Sequence, residues 1–156
     1  MLWPLLIAAS QAASLAPDIA FDAFAVWPEH SYGLAMIAPL ASGPFFGTFG
    51  LEVARNAAVT RLRADWFGLG VKTRLDAVSN SRRTVLMTAR YELAYVTSFA
   101  DGKRRDGNGH RILGGLMLFT HNCLVELAAG AALGQGRQKP PVLLVGFGAS
   151  GGGEAP

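Results

Sequence analysis

The sequence predicts an all-β chain, a single antiparallel membrane β-barrel of about eight strands, on three observations. Only 16% of the 156 residues are charged and 51% are hydrophobic, whereas about 25% charged residues are usual in soluble domains. The 19 glycines and 8 prolines disfavour a helical bundle, because glycine costs about 1 kcal/mol and proline about 3 kcal/mol inside a helix. The third observation is an alternation of apolar and polar side chains, and the length suits one domain.

The alternation is clearest across residues 67–97. Residues 67–77 place apolar side chains or Thr at odd positions and Gly, Lys, Arg or Asp at even positions, and residues 83–97 repeat the period of two. A helix would carry Gly68 and Gly70 in its interior, so the pattern predicts strands. Residues 83–97 exceed a typical soluble strand and suit a tilted span, whose lipid core needs about 9 to 11 residues. Tyr91 and Tyr95 lie on the apolar face, as interface aromatics would.

Weaker alternating segments account for the rest of the barrel. They are residues 19–27, 32–38, 45–54, 60–66, 112–120, 124–133 and 142–149, which brings the total to eight or nine strands. Residues 101–109 are rich in Gly and Asp and predict a hairpin loop. Eight strands of about ten residues would use most of the chain.

The two ends predict export. Residues 2–9 are apolar and small residues follow, so residues 1–14 predict a cleaved signal peptide, although no Lys or Arg precedes the apolar stretch. Residues 15–150 are then the barrel domain and residues 151–156 a disordered tail. The expected location is the bacterial outer membrane.

Two other architectures remain open. Residues 31–51 and 112–134 each carry few charges and have the length of a transmembrane helix, which would make the chain a small helical inner-membrane protein. His121 and Glu126 count against the second helix, because ionisable residues are costly in lipid. A soluble lipocalin-like ligand-binding barrel would show the same period of two.

The polar partners of the apolar faces are expected to point into the barrel. The candidate binding residues are Arg61, Arg63, Lys72, Arg74, Arg90 and Glu92, accompanied by Glu52, Asp65 and Asp76. Because side chains fill the interior of an eight-stranded barrel, these charges predict a plug of ion pairs. The alternative is a narrow polar pathway or a site for an anionic head group.

One fragment, Phe119-Thr120-His121-Asn122-Cys123, resembles the His-x-Ser signature of the outer-membrane lipid A deacylases. The resemblance implies a small eight-stranded barrel that hydrolyses an acyl ester of lipid A, with His121 and Cys123 as the catalytic residues. Cys123 takes the place of the serine, and a histidine can activate a cysteine as a thiolate. The orienting acid of that family is missing, because no Asp or Glu lies between Glu126 and Glu154.

Several sequence motifs of known function are absent. No phosphate-binding loop, dinucleotide fingerprint or His-Glu-x-x-His motif occurs, so we expect no cofactor and no metal. The net charge is +3, but the one dense basic run, residues 103–105, is broken by Asp106 and glycines, so we expect no nucleic acid partner. The expected partners are membrane lipid or lipopolysaccharide and other envelope proteins. The expected role is structural, surface-presenting or passive and pore-like.

If the chain is instead a hydrolase, His121→Ala should abolish deacylation of purified lipid A. Under the structural hypothesis, the same substitution should change no activity. Release of fatty acid from lipid A by the two proteins distinguishes these outcomes.

Overall fold

The computed structural model describes residues 19–28, 30–40, 43–54, 61–100, 102–120, 122–133 and 141–150, without the side chains of residues 61–63 and 100. These residues form eight strands. They are β1 Ala20–Trp27, β2 Ser31–Pro39, β3 Phe45–Ala54, β4 Arg61–Arg74, β5 Arg83–Ala100, β6 Lys103–Thr120, β7 Cys123–Leu133 and β8 Pro141–Ser150. The predicted signal peptide, residues 1–14, and the predicted tail, residues 151–156, lie outside the described residues.

The strands form one closed antiparallel barrel in chain order. Each strand pairs with the next along the chain, for example Phe67 opposite Leu93 in β4 and β5. The barrel closes where β1 pairs with β8, with Ala23 opposite Phe147. The predicted fold class is therefore confirmed.

The helical alternative is wrong. Residues 31–51 contain β2 and most of β3, and residues 112–134 contain half of β6 and all of β7. No helix within the described part of the chain has the length and hydropathy to span a bilayer. The low charge of these segments reflects strands with an apolar outer face.

The period of two separates an outer face from an inner face. On β5, Glu92 is 3% exposed and the next residue, Leu93, is 45% exposed. On β4, Gly68 and Gly70 are buried between the exposed Phe67, Leu69 and Val71. The outward side chains are mostly apolar, as the sequence predicted.

Apolar clusters fill the inner face at both ends. We call the end where β1 begins and β8 ends the terminus end, and the end where β5 meets β6 the hairpin end. The cluster at the terminus end contains Ala20, Ile37, Phe46, Leu86, Met117, Phe119 and Leu124. Two clusters lie closer to the hairpin end, one of Phe24, Val26, Leu113, Ala128, Val142 and Leu144 and one of Ala64, Trp66 and Ala94. Polar side chains occupy the level between them.

The predicted loop at residues 101–109 is mostly strand. β6 already begins at Lys103, which pairs with Ala100 of β5. Gly102 adopts a positive φ of 72°, a conformation that glycine adopts without steric cost. The prediction failed because Gly and Asp are typical of turns, whereas cross-strand pairing with β5 keeps this segment extended.

The hairpin of β5 and β6 extends beyond the end of the neighbouring strand β7. β7 pairs with β6 only as far as Leu133 opposite His110, while β5 and β6 remain paired up to the turn. Among the described residues, 103–109 therefore have β5 as their sole strand neighbour. We call residues 103–109, together with the part of β5 that pairs with them, the hairpin extension.

β6 packs closely against β7 at Gly115. A Cβ added to Gly115 would collide with the carbonyl oxygen of Leu127 and come within 2.6 Å of the Ala128 Cα. Backbone atoms cannot move aside as a side chain can, so Gly115→Ala should destabilise the barrel by about 1–3 kcal/mol. Urea unfolding in detergent measures the change.

Gly107→Ala is the matched control on the same strand. A Cβ at Gly107 would meet no heavy atom within 4 Å, so its unfolding midpoint should equal that of the unsubstituted protein. Equal stability of the two variants would contradict the pairing of β6 with β7.

Candidate functional site in the barrel interior

Six ionisable side chains meet at the level between the apolar clusters. Asp22, Glu52, Arg90, Glu92, Arg111 and Glu126 are each no more than 6% exposed. They come from β1, β3, β5, β6 and β7, and β5 supplies two of them because residues two apart share a face. We call this set the interior charge cluster.

Arg111 joins two of the carboxylates. Its Nη1 lies 2.8 Å from Glu52 Oε2, and its Nε donates to Glu92 Oε2. The guanidinium carbon also lies 3.9 Å from the centre of the Trp66 ring, a favourable cation–π arrangement. A planar guanidinium with several fixed donors suits this position better than a lysine would.

Arg90 joins Glu92 to the third carboxylate. Its Nη1 donates to Glu126 Oε1. Its Nε lies 2.8 Å from Glu92 Oε1. The two groups form an ion pair, but the geometry is not that of a hydrogen bond. Glu92 thereby contacts both guanidiniums and links the two halves of the cluster.

Two hydroxyl groups complete the contacts of the carboxylates. Ser31 Oγ donates to Glu52 Oε1 at 2.5 Å. Thr48 Oγ1 donates to Glu92 Oε1 at 3.2 Å. These donors matter because a buried polar atom without a partner costs about 1–3 kcal/mol.

Three of the residues expected inside the barrel lie in this cluster: Glu52, Arg90 and Glu92. Lys72 and Arg74 share the inward face of β4 but lie nearer the terminus end and are only partly buried. The assignment of Arg90, Glu92, Lys72 and Arg74 as binding residues stays a prediction. The side chains of Arg61 and Arg63 lie outside the described part of the chain.

Two residues expected inside are elsewhere. Asp65 lies opposite Tyr95 in the β4–β5 register and shares the outward face of Phe67 and Leu69. On β4 the odd-numbered residues point outward. The prediction was wrong for Asp65 because it placed both odd-numbered and even-numbered charged residues of this segment inside the barrel. The side chain of Asp76 is 87% exposed, because it lies in the turn after β4, where its Oδ1 is 3.1 Å from Arg74 Nε.

Sequence reasoning missed Asp22, Arg111 and Glu126 as members of the site. Asp22 lies between outward Phe21 and Ala23, so its parity alone pointed inward. Arg111 was hidden because the predicted strand began one residue later, at Ile112. Glu126 had been considered only as a charge within a hypothetical helix.

The assignment of His121 and Cys123 as a catalytic pair stays a prediction. His121 lies outside the described residues. Cys123 is an exposed free thiol at the start of β7, on the outward face it shares with Val125 and Leu127. The resemblance to the lipid A deacylases is therefore not shown. No cluster of three or more His, Cys, Asp or Glu side chains within the described ranges is arranged to hold a metal ion.

The space left inside the cluster is small. A cavity of about 10 Å³ is lined by residues that include Phe24, Trp66, Arg90, Glu92 and Arg111. That volume is at the lower limit for one water molecule. The ion pairs join β3, β5, β6 and β7 and leave little room for a ligand.

Another exposed ion pair lies on the part of the β5–β6 hairpin that extends beyond β7. Arg104 Nε is 3.0 Å from Asp106 Oδ1, and Thr97 Oγ1 donates to the same oxygen at 3.0 Å. The hydrogen bond from Arg104 holds the pKa of the Asp106 carboxyl below its ordinary value. Any stabilisation from this exposed pair is present at neutral pH and lost as the pH falls through that pKa.

The buried and exposed ion pairs predict different costs of losing one arginine. Arg111→Ala leaves Glu52 and Glu92 buried with unpaired charge, and breaking a buried pair in this way costs about 3–5 kcal/mol. Arg104→Ala removes a solvated partner and should leave stability unchanged. Urea unfolding of the two variants in detergent measures the difference, and equal midpoints would contradict the buried network.

Comparisons with known proteins concern the fold. No protein-family model matches the chain, and no curated protein matches it. The N-terminal β-barrel domain of OprF from Pseudomonas aeruginosa is similar in structure, with a TM-score of 0.58 and 11% sequence identity over 86% of this chain and 97% of that one. Ail, the attachment invasion locus protein of Yersinia pestis, gives a TM-score of 0.43 and 10% identity over 84% of this chain and 93% of that one. The chain thus shares the fold of a solved bacterial β-barrel domain.

Proposed function

We propose that the protein is a small bacterial outer-membrane β-barrel protein with a structural and surface-presenting role. The observation that carries this proposal is the apolar outer face. Every strand contributes exposed large apolar side chains to it, among them Phe21, Leu34, Phe49, Phe67, Leu93, Ile112, Leu127 and Val145. A water-soluble barrel would expose polar side chains there, and an apolar surface of this extent is otherwise found where lipid or protein covers it.

Aromatic side chains support a membrane position. Trp27, Tyr32, Tyr91 and Tyr95 lie on the outer face and are between 44% and 63% exposed. Trp27, Tyr32 and Tyr95 lie in the half of their strand nearer the hairpin end, and Tyr91 lies at the middle of β5. Membrane barrels carry such aromatic residues where the bilayer meets water.

Closure of the barrel supports the outer membrane. In lipid all backbone groups must be paired internally, and a closed barrel satisfies this requirement without helices. Bacterial outer-membrane barrels have an even number of antiparallel strands, as does the barrel formed by the described residues. The predicted signal peptide is consistent with this destination.

The interior supports a structural role over a conducting one. The terminus-end cluster includes Phe46, Leu86, Met117 and Leu124, each no more than 2% exposed. The interior charge cluster lies next to it, and the cavity there holds at most about one water. The work of the protein is then performed by its outer surface, in contact with membrane lipid or lipopolysaccharide, and by the projecting β5–β6 hairpin, which is available to envelope proteins.

Hydrolysis of a lipid A acyl ester remains a hypothesis that no contact favours. Within the described part of the chain, no carboxylate is paired with Cys123. The thiol also lies on the outer face, away from the interior charge cluster.

A charge on the outer face tests the membrane position. Phe67 is 70% exposed, so Phe67→Arg would be harmless in a water-soluble barrel. In lipid the same change should cost up to about 2–4 kcal/mol, depending on its depth in the bilayer. Urea unfolding from lipid vesicles, read by heat-modifiable migration on a gel, measures this loss.

Val78→Arg is the control, since Val78 is 46% exposed in the turn between β4 and β5 and outside the predicted span. It should leave the unfolding midpoint unchanged. Equal stability of the two variants, or solubility without detergent after removal of residues 1–14, would contradict the proposal.

In planar bilayers the folded protein should give no discrete conductance steps, and such steps would contradict the closed interior.

A further inference from the structure

One buried carboxyl group in the interior charge cluster has no partner. Asp22 is 2% exposed, and neither of its carboxylate oxygens has a hydrogen-bond donor in the described structure. An isolated buried carboxylate is costly, and such a group generally pairs, takes up a proton or binds a cation. The burial of Asp22 therefore has to be compensated in one of these ways.

The register of β8 places Asp22 beside Glu126. Gly146 of β8 lies opposite Glu126 of β7 on one side and opposite Phe24 of β1 on the other. A Cβ at Gly146 would overlap the Asp22 carboxyl group. The Asp22 carboxyl therefore lies over the bare backbone of Gly146, within hydrogen-bonding reach of the Glu126 carboxyl.

The charges around this pair do not balance. The cluster holds four carboxylates, Asp22, Glu52, Glu92 and Glu126, and two guanidiniums, Arg90 and Arg111. Arg111 is committed to Glu52 and Glu92, and Arg90 to Glu92 and Glu126. No donor of either arginine reaches Asp22.

The strands packed on either side of β1 bring no further charge. The inward residues of β2 are Ser31, Gly33, Ala35 and Ile37, and those of β8 are Val142, Leu144, Gly146, Gly148 and Ser150. None of these side chains is titratable in the pH range of interest. Lys72 and Arg74 of β4 make no contact with Asp22, and the groups that face it are Glu126 from β7 and Arg90 from β5.

We propose that Asp22 and Glu126 form a proton-sharing carboxyl pair across Gly146, with Asp22 as the neutral acid that donates to Glu126. Two adjacent carboxylates in one buried site cannot both be ionised cheaply, and one shared proton removes the repulsion. Glu126 keeps its negative charge and with it the ion pair to Arg90. The proton comes from water on folding and returns to water when the pair ionises.

The pair makes the stability of the barrel depend on pH. While the proton is bound, the cluster is stable. When rising pH removes the proton, Asp22 and Glu126 repel each other and Asp22 becomes a buried charge without a partner, so stability is lost as pH rises. The inference rests on the barrel interior and is independent of the proposed membrane role.

Infrared spectroscopy of the full chain in detergent tests the pair directly. At mildly acidic pH, where the pair holds its proton, the protein should show the C=O stretch of a protonated carboxylic acid, and labelling the aspartate carboxyl carbon with ¹³C should shift that band. Asp22→Asn should abolish it. Absence of the band, or a band that aspartate labelling does not move, would overturn the proposal.

Urea unfolding as a function of pH gives a second readout. The unsubstituted protein should lose stability as the pH rises through the ionisation of the pair, and Asp22→Asn, which keeps a hydrogen-bond donor without the charge, should lack this step. Asp106→Asn is the control and should retain it, because Asp106 lies on the exposed hairpin. A midpoint that depends on the concentration of Na⁺ or Mg²⁺ would overturn the proposal in favour of a bound cation. The infrared measurement on the unsubstituted protein still decides the question if Asp22→Asn does not fold.

Discussion

Closure of the sheet between β1 and β8 is the constraint on which the remaining structure depends. Closure pairs β1 and β8 with each other, so neither is left as a free edge of the sheet. It also gives every strand one face toward the axis and one face away from it. Apolar side chains can therefore cover the outside continuously, because no open edge interrupts them.

Closure also explains why ionisable residues are tolerated within an otherwise apolar chain. An eight-stranded barrel leaves a core that only side chains fill, and inward positions far apart in sequence become neighbours there. Arg111 meets Glu52 across 59 positions of sequence. The cost of burying these charges is offset by mutual contacts, by hydroxyl donors such as Ser31 and by the Trp66 ring. A shared proton would complete the balance at Asp22.

The two ends of the molecule differ in what they offer. At the terminus end an apolar cluster closes the interior. At the hairpin end β5 and β6 continue as a charged extension, whose basic residues are partly neutralised by Asp106. Among the described residues, an apolar cluster thus fills one end of the interior, and the β5–β6 hairpin extends beyond β7 at the other.

The sequence by itself determined the strand class, the outer face and most strand positions, because alternation is a local property that any extended backbone expresses. It also placed Glu52, Arg90 and Glu92 on the inner face. Only the tertiary structure decided that Asp22, Arg111 and Glu126 meet them in one cluster and that residues 103–109 are strand. Each of these depends on which strand lies beside which, and on the register between them. Pairing across a closed sheet is non-local, so the residue pattern within one strand does not predict it.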